Sequence, residues 1–334
     1  MKVERKLWLI VLPAALLCAV LLWLSMGNQA ATAPRITVRR ATYHQWTESL
    51  ILGNSQVEAV IVPAIGRVMQ FRFAGEDDGP FWENAELFGK SPDPVSSTWS
   101  NFGGDKAWPA PQEDWPKLTA RAWPPPSAFD SMPVKAEVKG EVIELISPID
   151  PHYGIRTRRL IKLDAKRPAM TITTTYEKLE GMPVTVAVWT ITQFKDPQGV
   201  FVPLPKTSVF SDGYVKQSKE TPAELKRAGQ LLSMIRSPKV STKIGTDADA
   251  LVWIGDKHVM RIDSPRVANA AYPDQGSSAE VYTNLDPLKY VELEMLGPLS
   301  QMKAGDRIER TNIYTLLRRR EKSAEVEARR MIKR

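Results

Sequence analysis

The chain has 334 residues, 43% hydrophobic and 25% charged, the composition of an ordinary globular protein with ample length for one large domain or two smaller ones. Its net charge of +7 sits at the ends: residues 2–6 carry +2 and residues 318–334 carry +5, leaving residues 7–317 without net charge. A nucleic-acid-binding protein would be expected to carry a basic stripe on its folded body, so that class is excluded.

The first element is a targeting segment. Lys2, Arg5 and Lys6 form a basic start, and residues 7–24 contain no charge. That run approaches the roughly 17–25 apolar residues needed to span a bilayer. Ala31-Thr32-Ala33 has the small-x-small pattern of a cleavage site. Residues 1–33 are therefore expected to be a signal peptide or a membrane anchor. Either exports the remainder, to the periplasm or beyond the cell, and an uncleaved anchor would tie it to the inner membrane through residues 7–24. Cys18, the only cysteine, lies inside this segment, so the exported part has no disulfide.

Residues 34–45 read as a tether or first edge strand. Val57–Val62 is a strand stopped by Pro63, and Gly66 precedes another, Arg67–Phe73. Residues 74–133 form a long excursion holding four of the ten tryptophans between 99 and 123, an ordered lid or pocket wall. Its richest part runs from Trp99 to Trp115, a mixture of glycines, charges and indoles that is poor at forming a helix or a regular strand. Flat indoles beside convergent polar groups suit a polyhydroxylated ligand. Strands resume over 134–138, 141–146, 156–163, 169–176 and 184–194, the β-branched run at 171–175 being the clearest. Residues 222–235 read as the only internal helix. Further strands follow at 250–254, 259–262, 278–283, 290–295 and 308–317. From Arg318 the chain is helical by composition but lacks a continuous apolar face, so a solvated helix or tail is expected. Short strands at frequent turn signals predict an all-β antiparallel sandwich, with domains at 1–33, 34–317 and 318–334.

Three segments carry a family resemblance. Pro63-Ala-Ile-Gly-Arg-Val68 looks like the early strand-turn element of aldose 1-epimerases. Gly103-Gly-Asp-Lys-Ala-Trp-Pro-Ala-Pro111 resembles the glycine-rich segment that hexose-phosphate mutarotases place at the sugar site. Tyr290-Val-Glu-Leu-Glu-Met-Leu-Gly-Pro298, followed by Lys303-Ala-Gly-Asp306, looks like their C-terminal glutamate strand. In order and spacing, residues 45–317 resemble the galactose mutarotase-like superfamily, most closely its bacterial DUF4380-type domains. The resemblance implies a large antiparallel β-supersandwich with a sugar pocket on its concave face. It departs at one point. Aldose epimerases have a histidine on the strand that here reads Val188-Trp-Thr-Ile-Thr-Gln-Phe194, where it protonates the ring oxygen. This chain has Trp189 and Gln193 there, and its histidines are His44, His152 and His258. His152, in a turn, is the one considered as a substitute acid, against the plainer reading of a solvated loop residue.

Candidate site residues follow. Mutarotation needs a base for the anomeric hydroxyl and an acid for the ring oxygen. Glu292 and Glu294, two apart on one strand, share a face; Glu294 matches the family position, and Glu292 would raise its proton affinity by like-charge repulsion. The alternative is that Val291, Leu293 and Met295 line the core while the glutamates face solvent. Lys106 and Arg67 are candidate cations for a sugar hydroxyl, carboxylate or phosphate, with surface ion pairing, Lys106 to Asp105 or Glu113, as the alternative. Trp108 and Trp189 are candidate stacking platforms, and Asn101, Asp105 and Gln193 candidate polar contacts. No phosphate loop, dinucleotide fingerprint, nucleophile elbow or histidine pair of metal-ligand spacing is present, so neither cofactor nor metal is expected. The sequence points to an exported carbohydrate-binding protein whose enzymatic form is an epimerase acting on a sugar or uronic acid. The alternative is a non-catalytic glycan-recognition or cell-envelope module.

Overall fold

The computed structural model describes residues 36–93, 98–222 and 224–333; the expected signal or anchor segment lies outside them. Among these residues the chain forms two antiparallel sheets of 11 and 10 strands. The first runs in the order β1 (Thr37–Tyr43), β2 (Trp46–Gly53), β3 (Val57–Val62), β4 (Arg67–Phe73), β5 (Asp105–Ala110), β10 (Val184–Lys195), β19 (Tyr290–Leu296), β18 (Ala279–Thr283), β15 (Thr242–Thr246) and β12 (Val215–Lys216), with β20 (Ser300–Met302) pairing the start of β10. The second runs β13 (Lys226–Ala228), β14 (Leu231–Met234), β11 (Gly199–Pro203), β16 (Ala250–Ile254), β17 (His258–Asp263), β21 (Arg307–Arg318), β9 (Ala169–Lys178), β8 (Ile155–Leu163), β7 (Val142–Asp150) and β6 (Lys135–Lys139).

Side chains alternate across each strand, and one parity from each sheet closes a shared interior. Val291, Leu293 and Met295 of β19 meet Met260, Ile262 and Leu316 from the opposite sheet there. Trp253 belongs to the same core, stacked near Phe194, its indole nitrogen donating to the Lys195 carbonyl at 2.8 Å. The other parity of the first sheet faces outward into a concavity partly covered by Trp99, Gln112 and Trp123.

Three expectations need correction. Of the residues expected as a helix, 222–235, those described are not helical: β13 and β14 form a hairpin turning at Gly229 (φ 67°), and Leu231 and Leu232 are buried against the sandwich. Tertiary pairing overrides the helical preference of Glu224-Leu-Lys-Arg-Ala228. Asp105–Ala110 is a strand despite its composition, held between β4 and β10. The C-terminal segment is a docked helix, α3 (Ala324–Ile332), not a solvated one. Two small contacts suffice, because Ala328 and Met331 are buried against Phe201, Val252, Ile254 and Val259, and Arg261 Nη1 donates to the Met331 carbonyl at 2.8 Å. The excursion also contains two single-turn helices, α1 (Trp115–Thr119) and α2 (Ser127–Asp130).

The start of the excursion is pinned to the first sheet by bridges between Phe81 and Phe194 and between Glu83 and Gly103. Glu83 is sunk beneath it: the Tyr43 hydroxyl donates to both its oxygens at 2.9 Å, and Gln70 Nε2 donates at 3.1 Å. Burial, the largest influence, pushes the Glu83 carboxyl from the ordinary 4.5 up to about 7, against the lowering pull of those two donors. The folded state therefore holds a proton the unfolded chain has lost. The resulting stabilisation is complete below about pH 4.5 and is lost as pH rises through about 7. Linkage sets its size at up to about 3 kcal/mol. We expect Glu83→Gln to gain on the wild type by about 1–3 kcal/mol between pH 5 and pH 8. Urea midpoints at the two pH values check this, and a difference that does not move with pH would refute the assignment.

Candidate functional site

The concavity is built by register. On β5, Lys106 and Trp108 point outward while Asp105 points inward, because neighbouring residues on a strand take opposite faces. On β10, Trp189 stands opposite Trp108 and Ile191 opposite Lys106. On β19, Glu292 stands opposite Gln193 and Glu294 opposite Ile191. On β18, Tyr282 and Glu280 stand opposite Glu292 and Glu294, and on β15 Lys243 stands opposite Tyr282. Five adjacent strands thus present one polar and aromatic face. Above it lies a cavity of about 480 Å³ whose walls include Trp108, Trp189, Lys243, Tyr282, Glu292 and Glu294. Trp99 and Trp123 close one side, and Gln112, Gln217, Ser218, Asn284 and Tyr290 complete it. This size falls in the range of small-ligand sites.

The glycine pair sets the approach. Gly103 and Gly104 both have positive φ (94° and 71°), and a Cβ would lie 2.3 Å from the Trp82 carbonyl at the first and 2.6 Å from the Val68 carbonyl at the second. Only glycine allows the excursion to enter β5 this closely.

Glu292 and Glu294 are both buried, with exposures of 8% and 1%. Val291, Leu293 and Met295 do line the core, as the alternative held, but the glutamates face a covered cavity instead of open solvent. Glu294 Oε2 accepts from Trp189 Nε1 at 2.7 Å and from Lys243 Nζ at 3.0 Å, while its Oε1 has no hydrogen-bond partner. Glu292 Oε1 accepts from Gln193 Nε2 at 2.9 Å and from Lys106 Nζ at 3.3 Å. Burial first, then repulsion from Glu294, raises the Glu292 carboxyl, opposed by Lys106 and Lys243. Lys106 is fully buried beneath the wall, its ammonium 4.8 Å from the Trp108 ring centre and 5.5 Å from that of Trp99. Burial lowers its pKa, although Glu292 pulls the other way. Burial also works against the Lys243 ammonium, but Glu280 at 2.7 Å and Glu294 outweigh it and hold this lysine above its ordinary range.

The aromatic walls are fixed from behind. Asp130 Oδ1 accepts from Trp108 Nε1 and from Arg67 Nη2, both at 2.8 Å, and Asp130 Oδ2 accepts from Trp99 Nε1 at 3.0 Å. Edge-to-face contacts then link the indoles: Trp108 to Trp189 at 5.4 Å, to Trp99 at 5.7 Å and to Trp123 at 5.8 Å.

Four of the expected site residues line the cavity together: Trp108, Trp189, Glu292 and Glu294. Lys106 and Gln193 lie directly behind and hold Glu292. Asn101 is buried beside the Tyr290 hydroxyl. Two residues are placed elsewhere and are corrected here. Arg67 is fully buried, donating to Asp130 and, at 2.7 Å, to the Gly103 carbonyl, so it braces the wall and touches no ligand space. Asp105 faces the sandwich interior, where it pairs with Arg159 and accepts from Thr192 Oγ1 at 2.6 Å and Tyr314 OH at 2.7 Å. His152 is exposed in its turn, its backbone N–H donating to Asp150. The sequence reading missed Lys243, Glu280, Tyr282 and Asp130. Alternation within residues 278–283 did offer Glu280, but nothing in the chain announces which strand lies beside β19.

A second cleft of about 510 Å³ lies among residues 76–80, 195–196 and 253–258. Within it His258 Nε2 lies 2.9 Å from Glu76 and Lys195 pairs with Asp78, while Asp196 pairs with Arg236. Trp253 is the one indole lining it, where the first cavity is lined by four, Trp99, Trp108, Trp123 and Trp189.

No family model matches the chain, and no curated protein sequence does. Solved structures do share its fold. A galactose mutarotase-like protein from Lactobacillus casei aligns over 80% of this chain and 100% of that one, with TM-score 0.53 and 8% identity. A galactose mutarotase-like protein from Clostridium acetobutylicum aligns over 85% and 99%, with TM-score 0.52 and 10% identity. A TPR-domain containing protein from Parabacteroides distasonis aligns over 80% of this chain but 46% of that one, with TM-score 0.51 and 13% identity. At these identities the likeness is one of architecture: the fold is an antiparallel β-sandwich of the galactose mutarotase-like kind.

Proposed function

We propose that the cavity over β5, β10, β19, β18 and β15 binds a sugar and interconverts its anomers. One observation carries the reading. A buried carboxylate, Glu294, with one oxygen unpartnered, lines a cavity whose walls include the indoles of Trp108 and Trp189. Indole faces match the apolar faces of a pyranose, and the free oxygen can take the anomeric hydroxyl proton. Lys243, the one ammonium on the cavity wall among the described residues, donates to the ring oxygen. Lys106 and Gln193 keep Glu292 in place beside Glu294. The three segments that resemble DUF4380-type domains belong to this reading, as does export through the N-terminal apolar run, which rests on sequence alone.

A non-catalytic glycan-recognition module is the second reading, and a specific feature favours it. Lys243 is clasped by Glu280 and Glu294, which makes it a firm hydrogen-bond donor and a reluctant acid. Proton exchange spectroscopy on wild-type protein with a panel of reducing sugars separates the two. Anomer exchange above the buffer rate supports the enzyme. Saturable binding with no added exchange leaves the recognition module. Absence of both across the panel would remove the sugar-binding proposal.

A further inference from the structure

The cavity wall is unbalanced in charge. Glu292 and Glu294 line it, Glu280 lies behind Lys243, and Asp274 is close enough to Glu280 to share a hydrogen bond. Against these four carboxyls stand two cations, Lys106 and Lys243. The nearby arginines are already committed, Arg67 to Asp130 and Arg159 to Asp105. Because the Asp274–Glu280 hydrogen bond needs a shared proton, the wall carries one more negative charge than positive, and Glu280, Lys106 and Glu294 are exposed by at most 1%.

Such an arrangement discriminates among sugars. A uronate or sugar phosphate would meet no uncommitted cation, and to reach Lys243 it would have to displace Glu280 or Glu294. A neutral sugar would leave the excess negative charge uncompensated. A ligand ammonium would offset it. The walls already show how a cation is held here, since Lys243 lies 4.6 Å from the Trp189 ring centre and Lys106 4.8 Å from that of Trp108. Indole faces attract cations through their ring quadrupole. Glu294, on the cavity wall and with its Oε1 without a hydrogen-bond partner, is the carboxylate best placed to hold such a charge.

We propose that the ligand of this cavity is a sugar bearing an unsubstituted amine, its ammonium held by the Glu292 and Glu294 pair at the indole wall. The proposal rests on the sugar-binding reading above and names its ligand class. The carboxyls point the same way: burial is the first influence on Asp274, Glu280 and Glu292, and raises all three.

The test is a calorimetric titration of wild-type protein at about pH 6, below the ordinary range of an α-amino group. The probes share one hexose skeleton: the 2-amino and 6-amino sugars, their N-acetyl derivatives, glucose and glucuronate. At least one amino sugar is expected to bind roughly tenfold or more tightly than glucose, about 1.4 kcal/mol, with N-acetylation removing the gain and glucuronate weakest. Glu292→Gln, which takes away one carboxylate of the wall, is expected to narrow the amine preference severalfold. Equal binding of amino sugars and glucose, or tighter binding of glucuronate, would overturn the inference while leaving sugar binding intact. No binding by any member would overturn the sugar-binding reading and the inference with it.

Discussion

Replacing Glu294 by Gln is expected to lower kcat/KM for anomer interconversion by about 10²–10⁴, the usual contribution of a positioned general base. The amide keeps the side chain's size and can still accept from Trp189 and Lys243, so the cavity walls stay in place. What it loses is a basic oxygen. Glu292→Gln should cost much less, about tenfold, because Glu292 is engaged by Gln193 and Lys106 and acts on its neighbour through charge. Exchange spectroscopy on both variants, beside the wild type, reads the two rates. Equal losses, or a larger loss at Glu292, would reverse the assignment of base and modulator.

Arg159→Met is expected to lose about 3–5 kcal/mol of stability, the usual consequence of stripping the partner from a buried ion pair. Arg159 reaches from β8 in one sheet to Asp105 on β5 in the other, and neither is more than 4% exposed. Asp105 would keep only the hydroxyls of Thr192 and Tyr314, too little for a carboxylate removed from water. The double variant Asp105→Leu with Arg159→Met removes both charges and should recover much of the loss. Urea unfolding of the single and double variants decides this. If the double variant proves no more stable than the single, the pair is not the stabilising unit described.

Asp105 also shows where legibility in the sequence ended. A period of two places Asp105 and Lys106 on opposite faces, but a segment mixing glycines, charges and indoles does not announce the strand at 105–110 to which that period applies. At β19 the same period worked: Glu292 and Glu294 share one face, and Val291, Leu293 and Met295 the other. Strand pairing was beyond reach, since antiparallel neighbours can be far apart in sequence. Lys243 and Glu294, 3.0 Å apart in the fold, are separated by 51 residues, and residues 242–246 carried no strong strand signal of their own. The helix expected at 222–235 failed for a related reason. Its local composition favours a helix, but Leu231, Leu232 and Met234 are buried from a hairpin instead. The docking of α3 rests on Ala328 and Met331, too sparse a pattern to read as an apolar face.

The central claim is that the indole-walled cavity beneath the excursion, and not the charged cleft at the sandwich edge, is where a sugar binds. A crystal structure of the wild-type protein with its tightest-binding sugar tests this most directly. The expected result is a pyranose ring in this cavity, packed on its indole wall, with one substituent within hydrogen-bond distance of Glu294. Sugar density confined to the cleft around Asp78, Lys195 and His258, with the indole-walled cavity empty, would contradict it.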